Sequence, residues 1–573
     1  MKILLTAVNA KYIHSNPAIY CLQSYSTMFQ ENIQLAEYTI NQNFDEVLRA
    51  IAYQKPDVLA FSCYIWNISM VEALIREYKK IDPTVDIWLG GPEVSYDATR
   101  CLKRIPQVTG IMIGEGEQTF QEVVRHYVTK EIALGDVAGI AYRTLEGTIV
   151  TTEVREPIDF RRLPFLYEKA IELKEFQNRI IYYETSRGCP FSCSYCLSSI
   201  DKRVRFRDLD LVDAELQLFL DKRVPQVKFI DRTFNCNRRH AMHIWEFIKE
   251  HDNGITNFHF EIAADLLDEE EIELLASLRP GLVQLEIGVQ TTNDKTITAI
   301  RRRMNLDLVK QRVAAVKKAK NIHQHLDLIA GLPYEDYETF QTSFDDVYRM
   351  HPDQLQLGFL KVLKGSYMEE KRLDYGIEYH SEPPYEVLYT NWLPYHQLCQ
   401  LKDIEDMVEV YYNSGQFSKT IAYLEHLYQS PFLMYEQLAQ YYRSHNLFGV
   451  NHARIKRYEI LREFCSSNFS KDQVLLVEEL MMFDLYLREK VKSRPVFAAP
   501  YEEYKKLYKH FLTNKAKEYE IGEQVHIEHF TYDVQQACET GELIKNECFI
   551  VFDYTKEKNL FAECNYQVFQ TLV

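Results

Sequence analysis

Apolar positions in this chain fall into short strand-length runs separated by segments of helical period, and the alternation begins at the first residues. Lys2–Ala7, Gln34–Tyr38, Val58–Ser62, Asp86–Leu89 and Gly110–Ile113 are the apolar runs; Ser69–Lys80 and Gln118–Val128 repeat apolar residues at helical spacing. Regular β/α alternation predicts a parallel sheet with helices on both faces, a Rossmann-like domain over residues 1–140. Residues 141–178 read as a connector, with a hairpin of Gly139–Tyr142 and Thr148–Thr152 around Glu146-Gly147. The alternation resumes over 179–364, where Ile180–Thr185, Gln226–Ile230, Asn257–Ile262, Leu282–Ile287, His325–Ala330 and Gln354–Phe359 predict a partial (β/α)6 barrel. Residues 365–495 change character: Pro383–Arg494 carries Tyr, Leu, Glu and Lys at helical spacing and few glycines, which predicts a mainly helical domain. A small α+β terminal region, 496–573, has strand-like runs at Gln524–Val534, Glu547–Tyr554 and Leu560–Val568. The fold class is α/β.

The length of 573 residues accommodates that many domains. Hydrophobic residues at 46% and charged residues at 26% are ordinary globular values, so neither disorder nor a membrane protein is indicated. No apolar run approaches the roughly 18–20 residues that span a bilayer, and Met1–Asn9 reads as a buried strand rather than a signal peptide. A net charge of −17 gives no overall field for nucleic acid, so a tRNA partner is disfavoured by charge but stays open. The basic runs Lys202–Arg207 and Arg301–Arg303 read as solvated faces or substrate-anion contacts. Cys21, Cys63, Cys101, Cys236, Cys399, Cys465, Cys538, Cys548 and Cys564 are scattered without a disulfide pattern, which predicts a reducing cytoplasm.

Three other cysteines are not scattered. Cys189, Cys193 and Cys196 stand in Thr185-Ser186-Arg187-Gly188-Cys189-Pro190-Phe191-Ser192-Cys193-Ser194-Tyr195-Cys196, a C-x3-C-x2-C spacing that lets three thiolates converge on one soft metal centre. Zinc would need a fourth ligand, and no Cys or His at zinc spacing completes it nearby. A four-iron cluster takes four thiolates; with three, one iron stays open to a substrate. The loop follows the first predicted barrel strand. Further polar residues mark the other strand ends: Asp231–Asn235, Glu261, Glu286 with Gly288-Val289-Gln290-Thr291, and Asp327 with Gly331-Leu332-Pro333. In such barrels active sites collect there. The N-terminal strands likewise end in unusual residues: Asn9–His14, Ser62-Cys63-Tyr64, Gly90-Gly91-Pro92-Glu93 and Gly114-Glu115-Gly116-Glu117. Open α/β sheets bind ligands at that edge, and paired glycines admit a bulky ligand close to the backbone.

The cysteine loop, with Tyr195 before its third cysteine, resembles that of the radical S-adenosylmethionine enzymes. Gly288-Val289-Gln290-Thr291 corresponds to their G-x-Q-S/T element, and Asp327-Leu328-Ile329-Ala330-Gly331-Leu332-Pro333 resembles their D-L-I-x-G-L-P element. The resemblance implies a [4Fe-4S] cluster on Cys189, Cys193 and Cys196 whose open iron chelates S-adenosylmethionine (SAM), and one-electron cleavage to a 5'-deoxyadenosyl radical. It implies cofactor contacts for Tyr195, Glu261, Glu286, Gln290 and Asp327, although barrel-end hydrogen bonding alone would also explain Glu261, Glu286 and Gln290. Arg302 either meets the methionine carboxylate or lies at a solvated helix end. The N-terminal strand ends resemble the cobalamin-binding domain that precedes some radical domains. By that likeness Ser62, Tyr64, Gly90, Gly91, Glu115 and Gly116 border the corrin and its nucleotide tail. The wider cobalamin-binding group carries D-x-H-x-x-G after the first strand; here the stretch is Tyr12-Ile13-His14-Ser15-Asn16-Pro17, without the orienting aspartate. His14 is therefore either a cobalt ligand or a loop histidine that packs.

The resemblance implies a cobalamin-dependent radical SAM methyltransferase acting on an unactivated carbon, served by a reducing partner such as flavodoxin or ferredoxin. Alternatives are a radical rearrangement or cyclisation, a methylthiotransferase-like enzyme with a second cluster on Cys21, Cys63 and Cys101, and a non-catalytic cobalamin sensor. A small molecule, a peptide and a modified tRNA nucleoside all stay open as substrate, and no catalytic residue is assigned. The C-terminal third is expected to cover the barrel mouth, with Tyr389–Tyr395 packing into a core.

Overall fold

The computed structural model describes residues 1–168, 176, 179–491, 493–498 and 500–572. Residues 169–175, 177 and 178 of the predicted connector lie outside the described residues. The N-terminal sheet holds β1 (Ile3–Asn9), β2 (Ile33–Thr39), β3 (Val58–Ser62), β4 (Asp86–Gly90), β5 (Gly110–Met112), β6 (Ile140–Arg143) and β7 (Ile149–Thr151), in the order β2-β1-β3-β4-β5-β6-β7. The first five are parallel; β5, β6 and β7 pair antiparallel, so the predicted hairpin extends the same sheet. Strand β1 is buried throughout because both faces are covered. Ile3, Leu5 and Ala7 join one core with the helices Pro17–Tyr25 and Glu117–Thr129, while Leu4 and Val8 join another with Phe44–Gln54 and Ile68–Ile81.

The second sheet is a six-stranded, all-parallel partial barrel. Its strands are β8 (Ile181–Tyr183), β11 (Gln226–Phe229), β12 (Asn257–Ile262), β13 (Val283–Gln290), β14 (His323–Ala330) and β15 (Gln354–Phe359), neighbours in that order. Between β8 and β11 lies a two-residue antiparallel ribbon, β9 (Ser186–Arg187) with β10 (Arg205–Phe206). The predicted single strand Ile180–Thr185 is thus interrupted. The Thr185 amide donates to the Asp231 carboxylate (2.9 Å) instead of a neighbouring strand, and the chain leaves the barrel there. Strand β13 alternates strictly: Val283, Leu285, Ile287 and Val289 are buried outward, whereas Gln284, Glu286, Gly288 and Gln290 face a partly exposed interior.

An unclosed barrel has two free edges. At β8, His14 forms a parallel bridge with Ile180, the Ile180 amide donates to Ile13 O (2.7 Å), and Ser15 Oγ donates to Ile180 O (3.0 Å). At β15, the Asn413 side chain accepts from Leu355 N (2.9 Å) and donates to Leu355 O (2.8 Å) from the π-helical turn Glu409–Asn413.

After a short pair, β16 (Glu378–Tyr379) with β17 (Val387–Tyr389), five helices follow: Tyr395–Val408, Ser418–Glu425, Pro431–Ser444, Arg454–Asn468 and Lys471–Arg488. The last is buried from Leu480 through Leu487, between the other helices and the antiparallel sheet β18 (Val525–Tyr532), β19 (Lys545–Asp553) and β20 (Asn565–Phe569). The expected core packing at Tyr389–Tyr395 is corrected: Leu393 is buried, but Tyr389 and Tyr395 are exposed and Trp392 lies against Tyr334 with ring centroids 4.3 Å apart. No described helix is long and apolar enough to cross a membrane.

Glu335, just past the end of β14, is 1% exposed. Its Oε1 accepts from Thr291 Oγ1 (2.6 Å) and Ser343 Oγ (2.8 Å), its Oε2 has no partner, and burial pushes its pKa up to about 7. A carboxyl raised in the folded state favours folding below its unfolded pKa and loses that contribution as pH rises through the folded value. Glu335→Gln should therefore flatten the decline in urea midpoint between pH 5 and pH 8, by up to about 1.4 kcal/mol per pH unit. Parallel urea titrations at the two pH values check it.

Candidate functional site

Cys189, Cys193 and Cys196 lie beyond the carboxyl end of β8, the first two buried and the third half-buried, all unpaired. The loop is held by its backbone. Cys189 N donates to Asp201 O (3.0 Å), Ser194 N to Ile300 O (2.8 Å), and Met368 N to Ser194 O (2.8 Å). Gly188 adopts φ +100°, and a Cβ there would stand 2.5 Å from Arg203 O, so the entry to the loop requires glycine. Among the described residues, no three Cys, His, Asp or Glu side chains are gathered tightly enough for a single metal ion. A [4Fe-4S] cluster with one open iron takes three thiolates, the number this loop supplies, whereas a structural zinc site takes four ligands.

Within the arginine triplet Arg302 is not a solvated helix end but turns inward. Its Nη1 lies 3.7 Å from Cys193 Sγ and 3.3 Å from Tyr195 Oη, and Nη2 donates to Gly288 O, while Arg301 stacks over Tyr367 and is exposed. Burial disfavours its charge, but the Tyr195 and Cys193 side chains outweigh that and raise its pKa. The basic run Lys202–Arg207 is likewise not simply solvated: Arg207 is buried on Glu215, and Arg205 pairs with Glu115 and Asp201.

The barrel interior carries charge where many barrels carry aliphatic layers. Glu286 accepts from Lys228 Nζ (2.9 Å) and faces His259 Nε2 (3.0 Å), Glu261 pairs with Arg232, and Asp327 lies 3.1 Å from His325. Burial works against the Glu286 carboxylate, yet His259 and Lys228 prevail and hold its pKa well below the usual range. Burial pushes Asp327 up, with His325 opposing. Gln290 sits at φ +74°, with Oε1 buried and unpartnered. Glu261, Glu286, Gln290, Arg302 and Asp327 therefore converge on one barrel end with the cysteine loop.

At the N-terminal edge, Ser62 Oγ accepts from Asn16 Nδ2 (3.4 Å), and Tyr64 stacks on Trp66 at 4.4 Å and 6°. Gly91 adopts φ +111°, and a Cβ there would meet Cys63 O at 2.5 Å. Gly90 has only an ordinary side-chain contact in the place of a Cβ, and Gly114 has open space. Tyr12, Ile13, Trp66 and Tyr96 expose large apolar surface from the loops after β1, β3 and β4. Exposed apolar groups that cluster on one edge mark a binding surface. His14 stands in the seam with the barrel: its Nδ1 is 2.7 Å from Tyr182 Oη, and burial, then Lys11 and Lys228, lower its pKa. That leaves Nε2 as the nitrogen free to meet a ligand.

Glu115 and Glu117 do not stay free at the crevice. Glu117 pairs with Arg187 (2.8 Å), and Glu115 pairs with Arg205, approaches Arg187 (3.4 Å) and accepts from Ile158 N (2.8 Å). Gly116 starts the helix Glu117–Thr129. Two arginines flanking the cysteine loop thus dock on the run Gly114–Glu117. A second seam joins buried Glu93 to Lys364 (2.7 Å) and Tyr385. Sequence reasoning gave no role to Asn16, Trp66 or Arg187, and marked Asn9 and Glu93 only as members of strand-end runs. The only local signal was their position within the strand-end loops.

This geometry defines a protein with a thiolate-bearing parallel barrel and a second ligand edge beside it. Family models agree: the radical SAM superfamily matches residues 183–347, a B12-binding domain residues 3–124, and a protein of unknown function (DUF4080) residues 373–552. The chain thus carries a B12-binding domain followed by a radical SAM domain, and these domains imply cobalamin, a [4Fe-4S] cluster and SAM. An uncharacterized methyltransferase of Pyrococcus horikoshii, PH0819, is 23% identical over 57% of this chain and 72% of its own length. The cobalamin-dependent radical SAM methyltransferase TokK of Streptomyces tokunonensis is 27% identical over 50% of this chain and 44% of its own. The fold matches the cobalamin-dependent radical enzyme OxsB with aqua-cobalamin and SAM bound, at TM-score 0.52 and 15% identity over 84% of this chain and 79% of that one.

Arg187 also pairs with Glu184 (2.9 Å), so Arg187→Met would leave Glu117 and Glu184 without their cation while Glu115 keeps Arg205. Losing one partner of a largely buried ion cluster should cost about 3 kcal/mol. Urea unfolding of the apo chain against wild type checks it.

Proposed function

We propose that the chain is a methyltransferase that moves a methyl group onto an unactivated carbon, with limits at 1–140 for the cobalamin domain, 141–178 for the connector, 179–364 for the barrel, 365–495 for the helical domain and 496–573 for the terminal region. The single observation that carries this reading is the docking of the arginines flanking the cysteine loop onto Glu115 and Glu117, which brings the two ligand edges together. Cys189, Cys193 and Cys196 would hold the cluster, and Tyr195, Glu261, Glu286, Gln290, Arg302 and Asp327 would border SAM. Ser62, Tyr64, Gly90, Gly91, Gly116 and the open space over Gly114 would receive the corrin, with Glu115 holding the edge in place and His14 Nε2 nearby. When bound, these groups supply a 5'-deoxyadenosyl radical and a methyl donor.

The chain's own residues bind, orient and enclose. Arg302 presents a permanent cation beside Cys193 and would pair with the methionine carboxylate. The Lys228–Glu286–His259 set lines the lumen with fixed donors and acceptors that suit a polar, hydrogen-bonding substrate. Such a site needs an electron donor of the flavodoxin or ferredoxin kind, and the twelve unpaired cysteines suit a reducing cytoplasm.

Anaerobic reconstitution with iron, sulfide and cobalamin tests the reading. Wild type should hold about four irons per chain, release 5'-deoxyadenosine from SAM when reduced, and give products one methylene heavier from cell extract. Cys193→Ser should lose the iron and the cleavage. Zinc in place of iron, or no cleavage, would refute the proposal; about eight irons would favour the methylthiotransferase alternative. Gly91→Ala should weaken hydroxocobalamin binding at least tenfold with iron loading unchanged, read by absorbance titration.

A further inference from the structure

Beneath the cysteine loop lies a carboxylate that the reading above does not use. Asp231 follows the end of β11 and is fully enclosed. Its Oδ2 accepts from Thr185 N (2.9 Å), and its Oδ1 accepts from Thr185 Oγ1 (2.6 Å) and Ser186 Oγ (2.7 Å). All three donors belong to the two residues that lead into Arg187-Gly188-Cys189. No lysine or arginine pairs with it among the described residues, and burial pushes its pKa up to about 7. A buried carboxylate without a counter-cation is expensive unless hydrogen bonds satisfy it. The same turn reaches the cysteines directly. Thr233 is held at φ +61°, which costs a β-branched residue energy, and its Oγ1 lies 3.9 Å from Cys189 Sγ. The Thr185 hydroxyl gives its proton to Asp231, so it accepts from His240 Nε2 (2.9 Å). Burial lowers the His240 pKa to about 4, which keeps the ring neutral.

We infer that Asp231 is a positioning residue that sets the path of the cysteine loop: its three hydrogen bonds pull residues 185 and 186 off the barrel strand and place Cys189 against Thr233. The inference rests on the reading that this loop holds an iron–sulfur cluster. In Asp231→Asn one acceptor oxygen becomes a donor, so the hydrogen bonds from Thr185 and Ser186 cannot all form. The full-length chain is reconstituted anaerobically with iron and sulfide and passed over a desalting column. Iron per chain, the electron paramagnetic resonance signal of the reduced cluster, and the change in that signal on adding SAM are then compared with wild type. Asp231→Asn should retain at least fivefold less iron and show a weakened SAM-dependent change, with an apo melting temperature close to wild type. Equal iron and an equal SAM-dependent change would overturn the inference. If the apo chain of Asp231→Asn melts far below wild type, Ser186→Ala decides, since it removes one donor alone: about twofold lower iron retention supports the inference, and wild-type retention overturns it. Failure of wild type itself to load iron would instead refute the cluster reading.

Discussion

A parallel sheet that curls without closing leaves two rows of unpaired backbone groups, and most of this molecule's architecture answers that constraint. A strand edge left bare invites pairing with another chain. Here the edge at β8 is taken by the loop carrying His14, and the edge at β15 by Asn413. The first comes from the N-terminal domain and the second from the helical domain. Covering the edges therefore fixes both neighbours against the barrel, and the ion pairs of Arg187 and Arg205 with Glu115 and Glu117 add to that placement.

The barrel's interior explains why those neighbours are needed. Its outer faces are aliphatic and aromatic, with Phe229, Phe234, Trp245 and Phe260 packed in one cluster. Its lumen holds Lys228, His259, Glu286, His325 and Asp327 instead. Charges on that face cannot supply the hydrophobic stabilisation that a filled barrel derives from its layers. Stability must come from the outside, through helices, seams and enclosed carboxyls such as Asp231 and Asp484, each accepting from hydroxyls and amides rather than cations.

Much of this was legible in the chain. The period-2 and helical-period patterns located the strands of both sheets to within a few residues, and the cysteine loop and the glycine pairs lie where expected, past the carboxyl ends of those strands. What stayed hidden depends on contacts far apart in sequence. Arg301, Arg302 and Arg303 are indistinguishable locally, and only the three-dimensional path turns Arg302 inward toward Cys193. Glu115 reads as a free acid at a strand end, but its partner Arg205 lies 90 residues on. The break after Tyr183 depends on Asp231, 46 residues downstream of Thr185. Tyr389 and Tyr395 have core-like composition, yet the turn around Trp392 faces outward.

The Glu93–Lys364 pair spans 271 positions of the chain. A ribosome adding roughly 5–20 residues per second delivers the carboxylate well before the ammonium that neutralises it. Until then Glu93 must stay hydrated or take up a proton, because enclosing an unpaired charge is costly. The ionised, buried form of Glu93 therefore becomes available to the N-terminal domain only once the end of the barrel has been made.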